Sequence, residues 1–251
     1  KGAIRFDQVD FVYPNTGIRA IQDFSLTIRP GEKIAIVGRT GSGKTTLAQL
    51  LLRMFDVTGG CIELDGKDIR QINLADLRGQ ISYVPQDVFL FSETVENNIG
   101  FGLTAYDHTQ VEGAAGRASV DKEIEGFSER YETMIGERGV TLSGGQKQRI
   151  SIARALIKNP EIVIFDDCLS AVDASTEKAI ISGLNEYLEA KTAIIITHRI
   201  FSLFNFDRVV VLENGRITET GTHEELLAVN GYYASLYRKQ QQDTEPIPPV
   251  S

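Results

Sequence analysis

Apolar and polar residues alternate through "IRFDQVDFV" (4–12) and "AIQDFSLTI" (20–28), the two-residue period of strands buried on one face. Turn-forming pairs follow each run, Pro14-Asn15 and then Pro30-Gly31. The pattern then changes. "EKIAIVG" (32–38) is a continuous apolar run ending in glycine, as expected of a strand covered on both faces. "KTTLAQLLLRMF" (44–55) takes up the 3.6-residue period of a helix, and "CIELDG" (61–66) reads as a return strand. From about 87 to 158 the period is mostly helical, with loops around 101–109 and 136–143. Strands return at 161–166, 192–197 and 208–213, the first two separated by a helix near 174–189. Asn214-Gly215 joins "RVVVLE" to "RITETG" as a hairpin turn. Thr222, with Glu225 three residues on, has the spacing of a capping box that opens a last helix. Strands alternating with helices predict an α/β domain on a mostly parallel sheet, with a helical subdomain inserted midway.

Composition narrows the classes. A chain of 251 residues with 24 % charged residues buries a real core, and its net charge of −8 gives no overall field for nucleic acid. Cys61 and Cys168 lie far apart and form no CxxC pair, which fits ordinary thiols in a reducing compartment. No apolar stretch approaches the roughly 20 residues of a membrane span. The chain opens on strand-like residues without a signal-peptide pattern, and its first residue is Lys, so a piece of a longer chain is expected. Residues 241–251, which include "DTEPIPPVS", are expected to be disordered.

Two motifs carry chemistry. "GRTGSGKTT" (38–46) fits G-x-x-x-x-G-K-[ST] and sits between a predicted strand and a predicted helix. Gly38, Gly41 and Gly43 allow tight turns that present backbone amides to a polyphosphate at a helix start. Within the same loop Thr40, Ser42 and Thr46 are candidate contacts; Lys44 brings positive charge to the β and γ phosphates, and the Thr45 hydroxyl can hold Mg²⁺. The second motif, "IVIFDD" (162–167), is a buried strand ending in two adjacent carboxylates. Neighbouring side chains on a strand point to opposite faces, so Asp166 and Asp167 have different work. Asp166 is the candidate Mg²⁺ ligand, resembling the acid that serves this role in P-loop NTPases.

"LSGGQKQR" (142–149), lying between these two motifs, narrows the field further. With them, the chain resembles the nucleotide-binding domain of an ABC transporter, from Tyr13 to about Leu236. The resemblance implies a RecA-like P-loop NTPase core with a β-subdomain over 1–86 and 159–221. It implies an N-terminal antiparallel β-subdomain within that core, a helical subdomain over 87–158, and a C-terminal helical segment over 222–240. It implies ATP and Mg²⁺ as ligands. Residue by residue, Tyr13 matches the aromatic that stacks on adenine, and Gln86 the glutamine that contacts Mg²⁺ and links nucleotide state to membrane domains. Ser143, Gly144, Gly145 and Gln146 match the signature that meets ATP held by an opposite domain. Asp173 matches a loop that crosses the dimer interface, and His198 a histidine that contacts the γ-phosphate. His108 and His223 lack such context and are expected on the surface.

"QDVFLFSETVENNI" (86–99) resembles the segment that exporters press against their membrane domains, and "GERGVTLSGGQ", with Glu137 and Arg138, an exporter-type cross-contact loop. A transporter at the cytoplasmic face of a membrane, with a second such domain as partner, is the implied setting. Soluble ABC ATPases of chromosome maintenance carry long coiled-coil insertions. Here Asp166 follows Lys44 by only 122 positions, without sustained heptads.

One residue departs from the family pattern. Where most hydrolytic members have Glu after the Mg²⁺ acid, this chain has Asp167. Its carboxylate retreats by roughly 1.5 Å, one C–C bond, while a base must come within about 2.6–3.2 Å of the proton it takes. A slow site within a heteromeric exporter and a homodimer whose backbone adjusts to the shorter acid both remain open.

Overall fold

A computed structural model describes residues 1–136, 141–169, 172–200 and 205–244. In chain order the elements are β1 (Ile4–Val12), β2 (Arg19–Ile28), β3 (Lys33–Val37), α1 (Lys44–Leu51), β4 (Gly59–Leu64), β5 (Lys67–Asp68), α2 (Leu74–Gln80) and β6 (Ile81–Val84). Then come α3 (Val95–Gly100), α4 (His108–Arg117), α5 (Asp121–Glu125), α6 (Gly144–Ile157), β7 (Ile162–Asp166), α7 (Ala174–Tyr187) and β8 (Thr192–Thr197). The chain finishes with β9 (Arg208–Glu213), β10 (Arg216–Gly221), α8 (His223–Val229) and α9 (Tyr232–Thr244).

Two sheets form. The early alternating runs pair antiparallel in the order β2-β1-β4-β5, and the later apolar runs build a six-stranded sheet in the order β10-β9-β3-β8-β7-β6. Within the larger sheet every pairing is parallel except β9 with β10. That exception comes from Asn214-Gly215, whose φ of 49° and 76° make the tight turn that a two-residue hairpin needs. This is the P-loop NTPase fold.

The two-residue period decides how the core divides. On β7, Ile162 and Ile164 pack with α1 and the antiparallel sheet, whereas Val163 and Phe165 pack with the helices α3, α4, α6 and α7. A third cluster joins Val37 and Val211 to Leu226 and Tyr233 of α8 and α9. The sheet is therefore covered on both faces, as parallel sheets require.

Three differences from the sequence reading have physical causes. The helix expected over 44–55 ends at Leu51, because Arg53 takes a left-handed φ of 51°. Residues 241–244, expected to be disordered, continue the helical hydrogen-bond ladder of α9. His223, expected at the surface, is half-buried, with Nδ1 2.7 Å from the Tyr233 hydroxyl. No helix among the described residues is long and apolar enough to cross a membrane.

Candidate functional site

The phosphate loop begins where β3 ends. A Cβ on Gly38 would lie 2.2 Å from the Leu212 carbonyl oxygen, so only glycine lets the loop leave the sheet against β9. Gly43, at φ 104°, leads into α1, and a side chain there would meet the Ala20 carbonyl at 2.6 Å. The loop is tied back by Ser42 N–H to the Arg39 carbonyl (3.1 Å) and by Gly215 N–H to the Ser42 carbonyl (2.9 Å). The first amides of α1 have no acceptor within the helix. Lys44 folds over the loop and donates from Nζ to the Gly38 and Arg39 carbonyls at 2.8 and 2.9 Å. Burial lowers its pKa, against the pull of Asp166 and Asp167.

The two carboxylates separate as the strand period requires. Asp166 ends β7 on the α1 side and is almost fully buried. Its Oδ2 accepts from the Tyr83 hydroxyl at 3.0 Å, and the Thr45 hydroxyl also bonds it. Burial raises its pKa; those two hydrogen bonds and Lys44 oppose the rise. Asp167 turns off the strand at φ 47° and donates its N–H to the Ile196 carbonyl at 2.8 Å. Its Oδ1 lies 3.1 Å from Nδ1 of His198, which follows β8. Burial raises the Asp167 pKa, and His198 draws it back down.

These groups share one open cleft of about 980 Å³, within the size range of small-ligand sites. Its walls include Tyr13, Gly38, Thr40, Gly41, Gly43, Lys44, Thr45, Thr46, Gln86, Asp166, Asp167 and His198. Ser42 lies beneath, with its hydroxyl buried and unpartnered. Tyr13 stands at one end, its hydroxyl 2.9 Å from Thr46 Oγ1 and donating to Gln49 Oε1 at 3.0 Å. Its ring meets Phe11 and Phe55 edge to face.

Ser143, Gly144, Gly145 and Gln146 are not among the residues of this cleft. They open α6, where Ser143 is exposed and caps the helix. Its Oγ accepts from Gln146 N–H at 3.2 Å, and Gln146 Oε1 accepts from Ser143 N–H at 2.9 Å. The Gln146 amide also donates to Glu123 on α5 at 2.9 Å, and Arg149 pairs with the same carboxylate. Gln146 thus holds the signature turn rather than reaching outward. Asp173 caps α7 in the same manner, accepting from the backbone N–H and hydroxyl of both Ser175 and Thr176. Those bonds hold its carboxyl far below the usual carboxylate range. Glu137 and Arg138 lie outside the described residues.

Some members of the site were not foreseen. Tyr83 reaches Asp166 because β6 lies beside β7 with Tyr83 in register with Ile164, and its only trace in the sequence is a hydroxyl in an apolar strand. Asn214, Tyr232 and Leu236 also line the cleft, brought there from the chain's last quarter without any local signal.

The family model described as ABC transporter matches residues 21–170. A probable multidrug resistance ABC transporter ATP-binding/permease protein, YheI of Bacillus subtilis (strain 168), is 49 % identical over 96 % of this chain and 41 % of its own length. The ATP-dependent lipid A-core flippase of Alkalilimnicola ehrlichii is 47 % identical over 96 % of the chain and 41 % of its own length. ATP-binding cassette sub-family B member 6 of Mus musculus is 43 % identical over the whole chain, which spans 30 % of that protein. A solved bacterial Atm1-family ABC exporter with ATP bound superposes with a TM-score of 0.92 at 38 % identity, over 96 % of this chain and 42 % of that one. The chain therefore spans only about a third to two fifths of the relatives it matches. It belongs to the ABC transporter family and is an ABC ATPase domain of the exporter kind.

Proposed function

We propose that this domain binds MgATP in the cleft and hydrolyses it within a head-to-tail pair of such domains, driving export by a transporter at the cytoplasmic face of a membrane. The observation that carries the pairing is the division of the motifs. Phosphate loop, carboxylates and His198 gather in one cleft, while the exposed Ser143 turn stands apart on α6. That turn is a helix start whose capping box takes the Ser143 and Gln146 amides and leaves those of Gly144 and Gly145, suited to an anion held by another molecule.

The residues fit the ligands. The buried Ser42 hydroxyl lacks a partner, and a Cβ at Gly41 would meet nothing within 4 Å, which leaves room above the loop. Thr45 and Asp166 already touch, giving the hard oxygen donors that Mg²⁺ prefers, with Gln86 at the cleft wall as the third. When bound, Mg²⁺ neutralises phosphate charge and orients the reacting group. Lys44 and the loop amides bind the phosphates. His198 faces the γ-phosphate end, and Asp167 is the base for the attacking water, on a side chain one methylene shorter than Glu.

Replacing Ser143 by Arg tests the pairing. ATP affinity of the variant stays within about twofold, because its own cleft is untouched, but the ATP-dependent dimer seen by analytical ultracentrifugation disappears. A Ser143→Arg chain that still dimerises on ATP ends the trans assignment.

Tyr13 stacks on adenine. Tyr13→Ala weakens ATP binding by about 1–2 kcal/mol, within the span for a base on an aromatic ring, while affinity for inorganic triphosphate stays unchanged. Equal losses for both ligands in a titration would show that Tyr13 only braces Thr46.

Membrane domains dock on the 86–99 segment. Phe89 is exposed there and Phe101 just beyond its end, and Phe91 lies between them with ring centroids at 5.1 and 4.1 Å. Exposed aromatics clustered in this way are unusual on a surface that stays in water. A second reading follows from Asp167: this domain's own site mainly holds ATP, and turnover belongs to a partner's site completed by its intact signature.

A further inference from the structure

The last helix carries a stripe that neither the motifs nor the proposed roles use. Tyr232, Leu236 and Gln240 lie four residues apart on α9, so they share one face. Tyr232 and Leu236 line the nucleotide cleft. The Arg39 guanidinium, from the phosphate loop, sits over the Tyr232 ring at 5.8 Å. One full stretch further on, Gln240 Oε1 accepts from the backbone N–H of Ile200 at 2.8 Å. Ile200 is two residues beyond His198. The same helix face thus touches both loops that meet at the phosphate end of the cleft.

The helix is itself well anchored. Glu219 of β10 accepts from Tyr232 N–H at 2.5 Å and from Tyr233 N–H at 3.4 Å. A Cβ at Gly231 would lie 2.3 Å from that carboxylate, so glycine is what admits it. Tyr233 is buried in the cluster with Val37 and Val211, and Val37 ends the strand that leads into the phosphate loop. A helix fixed to β3 and β9, with a side-chain acceptor for the Ile200 N–H of the His198 loop, can set where that loop stands.

We propose that α9 is a strap that fixes the His198 loop relative to the phosphate loop, and that Gln240 is a positioning residue acting on His198 through the Ile200 backbone. This deepens the proposed function and rests on its assignment of His198 to the γ-phosphate end. Other groups restrain the same loop, namely Arg199 N–H to Thr197 Oγ1 at 2.9 Å and the Arg199–Glu177 ion pair at 3.2 Å. They act on the residue next to His198 from β8 and α7, and Asp167 meets the imidazole itself at 3.1 Å. Gln240 reaches the loop from a different element, α9.

The test compares Gln240→Leu, which removes the acceptor at similar volume, with Gln240→Glu, which keeps an oxygen in place. Three quantities are measured on the full chain: hydrogen exchange of the Ile200 amide, and kcat and KM for MgATP hydrolysis. In Gln240→Leu the Ile200 amide exchanges about tenfold faster or more, and kcat falls about tenfold with KM within twofold, since sub-ångström misplacement costs rate before binding. Gln240→Glu restores both. Unchanged Ile200 exchange in Gln240→Leu overturns the strap, and so does an equal loss in the Glu variant. Adding His198→Ala separates this proposal from the reading beneath it. If Gln240 acts through His198, the double variant is no slower than His198→Ala alone. If His198→Ala itself leaves kcat unchanged, the assignment of His198 fails, while the Ile200 exchange still decides whether Gln240 holds the loop.

Discussion

Lys44→Ala abolishes nucleotide binding at ordinary concentrations, weakening MgATP affinity by on the order of a hundredfold or more. Lys44 lies over the phosphate loop with two of its three ammonium donors on the Gly38 and Arg39 carbonyls. The ammonium is thereby held where phosphate oxygens pass. Hydrogen bonds to charged groups contribute about 1.5–3 kcal/mol each, and each 1.4 kcal/mol is about tenfold in affinity. Truncation also removes a positive charge that acts on Asp166 and Asp167, leaving two carboxylates facing an anionic ligand. A titration with a fluorescent ATP analogue measures the loss. Affinity within threefold of the native chain would remove Lys44 from phosphate binding. The lowered pKa of Lys44 adds a second check with a defined sign. Binding needs the protonated amine, so affinity declines as pH rises through a range below that of an ordinary lysine. In Lys44→Arg the decline moves to higher pH, because guanidinium does not titrate there.

Much of this site was legible because its parts are local. The phosphate loop needs only glycines at fixed offsets between a strand and a helix, and Gly41 and Gly43 take the positive φ that such a turn demands. The division of labour between Asp166 and Asp167 follows from the period of two. Ile162 and Ile164 face the α1 side with Asp166, and Asp167 leaves the strand toward His198. The capping box at Thr222 and the Asn214-Gly215 turn are equally local, and both formed. What sequence could not supply is long-range choice. Nothing in "ISYV" says that Tyr83 will lie beside Asp166 rather than in the core. Nothing near Gln146 says that Glu123 will occupy its amide. The early end of α1 depends on one left-handed residue, Arg53, whose side chain bonds Asp56 at 2.9 Å and also reaches the Ile69 carbonyl. These are decisions of packing, made by chain segments far apart.

Asp167→Glu raises steady-state MgATP hydrolysis at least tenfold, equivalent to about 1.4 kcal/mol of barrier, with KM nearly unchanged. The geometry explains the direction. Asp167 is fixed by its left-handed φ and by its N–H on the Ile196 carbonyl, so the backbone has little freedom to advance a short side chain. One of its oxygens is taken up 3.1 Å from His198 Nδ1. Glu restores about 1.5 Å of reach, and a shift near 1 Å is worth on the order of a hundredfold in rate when it decides contact. Asp167→Asn, which keeps the shape and loses the base, falls below the native rate, and Asp166→Asn falls with it by losing the Mg²⁺ ligand. Both variants still bind ATP through Lys44. The comparison is made at high protein concentration, so that paired domains are present. If Glu accelerates turnover, the native chain is the weak half of a pair, and its intact Ser143 turn serves a stronger partner. If native and Glu chains turn over equally fast, the 3.1 Å contact with His198 leaves Asp167 enough reach, and a homodimer with two working sites accounts for the sequence.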